Sequence, residues 1–273
     1  MAIKDKNNYL ANNLPLPYMR TLAILSIVFI LASCQSTEQN GTLLPSLERQ
    51  YLYAALFNAE AQKEWCIWKP TPAEKDSSNV STDGFFHTRL DTILNYSDSG
   101  INKAVIIFGT YKFDKNGLAD CHACAPMVSI AVAQWNGVSN WQVLKFIKNF
   151  GEHGSWGGQP TYRIAKFGGN CFLVEDWGYT SQGETSSWKR FWHLSSLVES
   201  LQIGGEDDSG LIEDEKMVTS WSESIADASA NGVTKVLVHK KGMVYEEGKG
   251  QHSVDFTRVY ILNNSKTFRQ VQK

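Results

Sequence analysis

The sequence predicts a mainly β protein with minor α content: antiparallel sheets in a sandwich, barrel or propeller-like arrangement, preceded by one N-terminal helix. Three observations carry this. Runs rich in Val, Ile, Phe, Tyr and Trp recur from residue 85 to the end of the chain. Turn signals separate them about every ten residues. The strong helix formers are gathered before residue 66.

The elements follow in order. Pro45-Ser46 opens LERQYLYAALFNAEAQKEW, where Leu47, Tyr51, Ala54, Ala55 and Phe57 keep helical spacing, Ser46 is the expected N-cap, and Cys66 to Pro70 ends the run. Residues 71–84 read as loop from their Pro, Ser, Asp and Gly content. Phe85 to Tyr96 and Ala104 to Tyr111 are β-rich. Val128 to Trp135 and Trp141 to Lys148 form a hairpin about Asn136-Gly137, because Asn-Gly accepts the positive φ of tight turns. A second hairpin joins Thr161–Phe167 to Cys171–Trp177 through Gly168-Gly169-Asn170. Trp188 to Leu194 is a further strand, and residues 205–215 are an acidic loop, with a possible sub-boundary near 208. Val233–His239, Gly242–Glu246, Phe256–Leu262 and Lys266–Val271 complete the series.

The chain has 273 residues, 42% apolar and 20% charged, and its 26 basic and 28 acidic side chains give a net charge of −2. That balance excludes collagen, a disordered polyampholyte and a basic nucleic-acid binder, so no nucleic acid is expected as a partner.

The N-terminus reads as an address. Lys4, Lys6 and Arg20 precede Leu22–Ala32, LAILSIVFILA, an apolar run of eleven residues. It is too short to span a bilayer, which takes about 20 residues, and it fits a signal-peptide h-region. Leu31-Ala32-Ser33-Cys34 follows. This tetrapeptide resembles the lipobox of bacterial lipoproteins, which implies cleavage before Cys34, acylation of its thiol (palmitate among the acyl chains) and membrane attachment through the lipid. Gln35, where Asp would favour inner-membrane retention, implies the outer membrane, on its periplasmic or surface face. The expected organisation is a signal peptide at 1–33, a polar tether at 34–44 and one β-rich domain at 45–273. Loss of Lys4, Lys6, Arg20 and Asp5 with the signal peptide would shift the net charge from −2 to −4.

Four cysteines then remain: Cys66, Cys121, Cys124 and Cys171. In an oxidising compartment an even number suggests disulfides. The favoured pairing is Cys121 with Cys124 and Cys66 with Cys171. Asp120-Cys121-His122-Ala123-Cys124-Ala125-Pro126 is the most pointed motif. Haem attachment needs His after the second Cys, and Ala125 stands there. Two readings stay open. Cys121 and Cys124 could be a thiol–disulfide exchange pair with His122 lowering the thiol pKa, or a local disulfide stapling a loop to a sheet. The first needs a long helix after Cys124, as in thioredoxins, whereas MVSIAVAQW is β-branched.

Other constellations are weaker. Gly151 to Gly158 is Gly-rich without the Lys-Ser/Thr of a phosphate loop. His122 and His153 would form a metal pair only if the fold joined them. Asp207, Asp208, Glu213, Asp214 and Glu215 miss the twelve-residue Ca²⁺ loop pattern. No metal, cofactor or catalytic residue is therefore assigned. All nine Trp lie after residue 64 and read either as core packing or as a platform for sugar, peptide or peptidoglycan.

The order CHACAP, hairpin, GSWGG, hairpin, EDDSG is similar to a group of uncharacterised bacterial lipoproteins and periplasmic proteins with a Cys-His-x-Cys segment, over roughly residues 85–273. The resemblance implies no activity. The expected role is binding or scaffolding in the envelope, with an envelope protein or glycan as partner. The alternative is a membrane-tethered thiol–disulfide oxidoreductase.

Overall fold

A computed structural model describes residues 41–74, 77, 79–119, 125–154 and 159–271. Strands β1 (Leu43–Leu44), β2 (Ala61–Gln62), β3 (Trp65–Trp68), β4 (Phe86–Asp98), β5 (Ile101–Tyr111), β8 (Met127–Trp135) and β9 (Trp141–Glu152) form one antiparallel sheet in the order β1-β9-β8-β5-β4-β3-β2. Between β5 and β8 lies a small ribbon of β6 (Phe113–Asp114) and β7 (Gly117–Leu118). The second sheet runs in simple sequence order: β10 (Thr161–Phe167), β11 (Asn170–Ser181), β12 (Glu184–His193), β13 (Val198–Asp207), β14 (Ser220–Asp227), β15 (Lys235–Glu246), β16 (Gly250–Leu262) and β17 (Phe268–Gln270). The mainly β, antiparallel class expected from the sequence is the one observed.

Two-residue periodicity explains the layering. Along β5, Ala104, Ile106 and Phe108 face one way and Val105 and Ile107 the other, and all are fully buried. A strand apolar on both faces must be covered on both. Helix α1 (Arg49–Phe57) covers the first face with Leu52, Tyr53, Leu56 and Phe57. Cys171 and Leu173 of β11 cover the second, together with Leu194 and Leu197. On β11 itself, Phe172 and Val174 point away from the first sheet and meet Phe191, Val236, Val238 and Phe268. The second sheet thus curls into a half-barrel, because β15 and β17 return to pack on β11 and β12.

Tight turns set the hairpins. Ser99-Gly100, Gly168-Gly169 and Gln182-Gly183 each place two consecutive residues at positive φ, the signature of the type I′ turn that matches strand twist. The loop between β8 and β9 is held by Asn136, whose Oδ1 accepts from the N–H groups of Val138, Ser139 and Asn140.

Several expectations are corrected. The helix spans Arg49–Phe57 rather than 47–65. Asn58 turns left-handed at φ 51°, and the Ala59 N–H bonds back to the Tyr53 carbonyl at 3.3 Å, closing the C-terminus. Glu48 occupies the N-cap without a side-chain capping bond, its carboxylate accepting from Gln50 Nε2 instead. Ser46 Oγ instead accepts from the Glu48 N–H. Trp65–Trp68 is not a helix end but strand β3, with Cys66 and Trp68 inward. Leu43 and Leu44, placed in the tether by composition, form β1 opposite Gln142 and Trp141, and Leu44 is buried. Residues 205–207 belong to β13, and β13 pairs with β14 across the acidic loop.

Candidate functional site

The two sheets meet over a buried polar cluster at one end of β5 and over an open groove at the other. The cluster starts from a bulge. The β4–β5 register shifts between Leu90 and Thr92, leaving Asp91 unpaired in the ladder; bulges of this kind re-aim side chains. The Leu90 N–H is taken up by the Tyr53 hydroxyl at 2.7 Å, which in turn donates to the Glu64 carbonyl at 2.7 Å. Asp91 Oδ1 accepts from Arg89 Nε (2.8 Å) and from the Tyr111 hydroxyl (3.2 Å), while Arg89 lies over the Tyr111 ring. Burial raises the Asp91 carboxyl above its usual range, with Arg89 beside it opposing that shift. Gly109, opposite Arg89, leaves the space that the Gln159 amide and the Asp91 carboxyl occupy: a Cβ there would lie 2.0 Å from Gln159 Nε2.

The facing row crosses three strands. Tyr162, Glu175 and Arg190 are successive cross-strand partners on β10, β11 and β12. Glu175 is 1% exposed. Its Oε2 accepts from His153 Nδ1 at 2.8 Å and from Trp192 Nε1 at 3.2 Å, and its Oε1 lies 3.8 Å from Arg190 Nη1. A carboxylate only accepts, so His153 donates through Nδ1. Phe150 stacks on the His153 ring and meets Trp192 edge-on. Burial holds the Tyr162 and Tyr111 hydroxyls well above the ordinary phenol range. The Gln159 amide, the Tyr162 hydroxyl and Arg190 Nε are buried and find no hydrogen-bond partner among the described residues. Donors and acceptors side by side in this way suit ordered water.

Two cavities flank this end of the first sheet, one on its helix side, where Trp141 packs, and one on the face toward the second sheet, where Tyr96 packs. One, of about 560 Å³, is lined by Asn95, Tyr96, Asn102, Lys103, Trp135 and Trp141. Trp135 and Trp141 are register partners with ring centroids 5.6 Å apart, crossing at 62°. The other, of about 490 Å³, opens between the sheets and shares Tyr96 and Lys103 with the first. The first sheet gives it Asp98 and Lys145, and the second gives it Asn170, Cys171, His193, Ser195 and Lys266. Lys103 Nζ holds Asp98 at 2.7 Å, and this contact keeps the Asp98 carboxyl below its usual range. Lys145 Nζ donates to the Ser196 carbonyl at 2.8 Å. His193 Nδ1 accepts the Ser195 N–H, so its Nε2 donates to Asn170 Oδ1. Burial, then the nearby Lys266 charge, lowers the His193 pKa.

The site residues read from the sequence fall as follows. Cys34, Cys121, His122 and Cys124 lie outside the described residues, as do Ser155 to Gly158. Cys66 and Cys171 are free thiols, and the expected pairing between them is not formed. Cys66 packs on the helix side of the first sheet and Cys171 in the core on its other side, whereas a disulfide needs Cα atoms within about 7 Å. Residues 127–135, which thioredoxin-like exchange would require as helix, form strand β8. His153 is engaged by Glu175, and its N–H bonds to the carbonyl of Pro126, two residues after Cys124 in sequence. Among the described residues, no three His, Cys, Asp or Glu side chains converge as a metal site needs. Asp91, Glu175 and Arg190 and the groove lysines were missed. Glu175 carried a signal, because it occupies the same face as Cys171 and Leu173 in an otherwise apolar run.

Comparison of the chain with protein-family models, with curated proteins and with solved structures gives no match.

Proposed function

We propose that this chain is a lipid-anchored envelope protein with a binding role, and that its ligand is a saccharide held beside Trp135 and Trp141. The Trp pair carries the reading. Two half-buried indoles form one wall of a 560 Å³ cavity whose other lining includes the amides of Asn95 and Asn102. Ligand pockets combine aromatic walls with a few placed polar groups. Indole faces suit the C–H faces of sugar rings, and carboxamides both donate to and accept from hydroxyls. Glu175 is buried, whereas the cavity beside the Trp pair has room. The stretch from Leu22 to Cys34 supports the anchor.

Two experiments test this. Cells expressing the chain are fed an alkyne-tagged palmitate; Cys34→Ala is expected to abolish labelling, and unchanged labelling defeats the anchor. The full chain in detergent is then titrated with oligosaccharides while tryptophan fluorescence is followed. Saturable quenching that weakens about tenfold in Trp135→Ala, the effect of losing one well-packed aromatic contact, supports the site. Absence of binding to any oligosaccharide defeats it.

A further inference from the structure

We infer that the end of the first sheet beyond Trp135 and Trp141 is a lipid-facing surface, and that the fold stands on the membrane through it. This rests on the lipid anchor proposed above and goes beyond it, because an anchor at Cys34 fixes one point of the chain and chooses no face of the fold.

Register places two hairpin tips at this end. Trp135 pairs with Trp141 at the mouth of the β8–β9 turn, and Asp98 with Ile101 at the mouth of the β4–β5 turn. Lys103 of β5 pairs with Gln134 of β8, so the two turns lie abreast. Strand β1 joins them at the sheet edge, with Leu44 opposite Trp141 and Leu43 opposite Gln142. Side chains of one kind gather here. Val138, at the tip of the β8–β9 turn, is 84% exposed and Leu43 is 60% exposed, and among the described residues no large apolar side chain is more open than these two. Ile101 adds a third at 41%. Apolar side chains scattered singly over a surface need no explanation, but these three share one rim with a half-buried Trp pair. Neither turn carries a charge: residues 99–102 read SGIN and residues 136–140 read NGVSN. The β6–β7 ribbon, which follows β5 at its other end, carries Asp114 and Lys115 instead.

Lipid fits this rim. The boundary between headgroups and hydrocarbon accommodates tryptophans, whose rings are apolar at one end and wet at the other, together with a few open aliphatic groups. The charge beside the rim agrees. Lys103, Lys145 and Lys266 line the cavity between the sheets against one carboxylate, Asp98, among the described residues. Asp98 offsets Lys103, so the charges of Lys145 and Lys266 set this end against a chain average of −2. Anionic headgroups attract basic residues within a Debye length, about 8 Å at physiological salt. The entry of the chain agrees as well. The Gly41 N–H bonds to the Val143 carbonyl, and Val138 stands five residues before Val143, at most about 17 Å away. The seven steps from Cys34 to Gly41 cover up to about 25 Å, so an acylated Cys34 leaves the tip enough chain to reach the same surface. The seat uses the turns and the sheet edge, while the Trp-walled cavity stays on the helix side of the sheet.

The test reconstitutes the acylated full chain into vesicles of phosphatidylcholine and phosphatidylglycerol. Part of the phosphatidylcholine carries a nitroxide on its headgroup, which quenches nearby indoles. Trp135 and Trp141 are two of nine tryptophans, so about a fifth of the emission should be lost on their account. That loss should disappear in Trp135→Phe/Trp141→Phe, which assigns it to the pair. The decisive variant is Leu43→Ser/Val138→Asp, at two exposed residues that do not line the Trp-walled cavity. It should lose the same quenching while still floating with the vesicles and keeping the near-ultraviolet circular dichroism of the unaltered chain, which shows that it is folded. Unchanged quenching in this variant overturns the inference. Flotation of the unaltered chain without quenching overturns it too and leaves the anchor intact. So does protection of the rim by an envelope protein, seen as crosslinking at Val138→Cys with no quenching by the lipid, because the surface is then a protein-docking one. A chain that does not float at all removes the anchor, and the inference with it.

Discussion

His153 Nδ1 stands 2.8 Å from Glu175 Oε2, and this bond ties the residue just after β9 of the first sheet to the middle of β11 in the second. Both side chains are buried. Glu175 also receives Trp192 Nε1 and faces Arg190. Its removal would strand two donors and leave Arg190 without its facing charge. Breaking a buried charged network from one side costs about 3–5 kcal/mol. Glu175→Ala is therefore expected to lower the urea midpoint by that amount of stability. Glu175→Gln, which keeps the volume and one acceptor, should cost less. A loss below about 1 kcal/mol in Glu175→Ala would show that the sheets are not joined here.

Gly183 sits at φ +92° in the Gln182-Gly183 turn, and its backbone touches the acidic loop. A Cβ on Gly183 would lie 2.2 Å from the Gly210 carbonyl carbon and 2.7 Å from the Leu211 nitrogen. These are backbone atoms and cannot swing aside. Gly183→Ala combines a left-handed penalty of about 1–2 kcal/mol with steric displacement of the loop. The expected result is a lower melting temperature together with faster amide exchange at Gly210 and Leu211. Gly137, also at positive φ but with open space around it, serves as the control and should show only the left-handed penalty in Gly137→Ala.

Alkaline stability follows from two buried acids near α1. Burial pushes the Cys66 thiol up to about 12 from 9.0, and the Tyr53 hydroxyl up to about 12 from 10.0. The folded state therefore holds these protons more tightly than the unfolded chain does. The stabilisation is complete below pH 9.0 and is lost as pH rises through the interval up to about 12. Unfolding free energy measured at rising pH should fall across that window. In Cys66→Ala the fall just above pH 9.0 should be shallower, because Cys171 is then the one raised thiol among the described residues, while the buried tyrosines, Tyr53 among them, still contribute above pH 10.0. An unchanged pH profile in Cys66→Ala would exclude the thiol as a contributor.

Asn58 ends the helix that the sequence prolonged to residue 65, and it can be tested directly. Asn tolerates the left-handed region better than other residues with a Cβ, and Gly tolerates it best. Asn58→Ala should destabilise by about 1 kcal/mol, and Asn58→Gly should be close to neutral, in the same urea titration. A neutral Asn58→Ala would mean that the helix ends for another reason.

The same residue shows where sequence reading stopped. Ala59 to Gln62 are fair helix formers, so their propensity pointed onward. The Asn58 turn and the pairing of Ala61 with Cys66 overrode it. Local signals served the hairpins well: Asn136-Gly137 and Gly168-Gly169 mark turns whose flanking strands pair as expected. The curl of the second sheet was not legible, because it depends on Val236 and Phe268 meeting Phe172 from far along the chain. Of the two cavities only the Trp-walled one was legible. Trp135 and Trp141 flank a recognisable turn, so their juxtaposition follows from the hairpin. Lys103, Lys145 and Lys266 come from three distant segments, and no spacing rule could join them. Glu175 stood out only as a carboxylate on an apolar face, a signal that strand parity makes visible once the strand is known.

The pairing of β1 acquires a further meaning if Cys34 carries the lipid. Leu44 lies opposite Trp141, and the Gly41 N–H bonds to the Val143 carbonyl, so the chain enters the fold beside the groove. Seven peptide steps separate Cys34 from Gly41, and a fully stretched chain covers at most about 25 Å in seven residues. The anchor is then a short leash fastened next to the binding surface. Under that condition it would keep Trp135 and Trp141 within a shallow zone above the lipid headgroups.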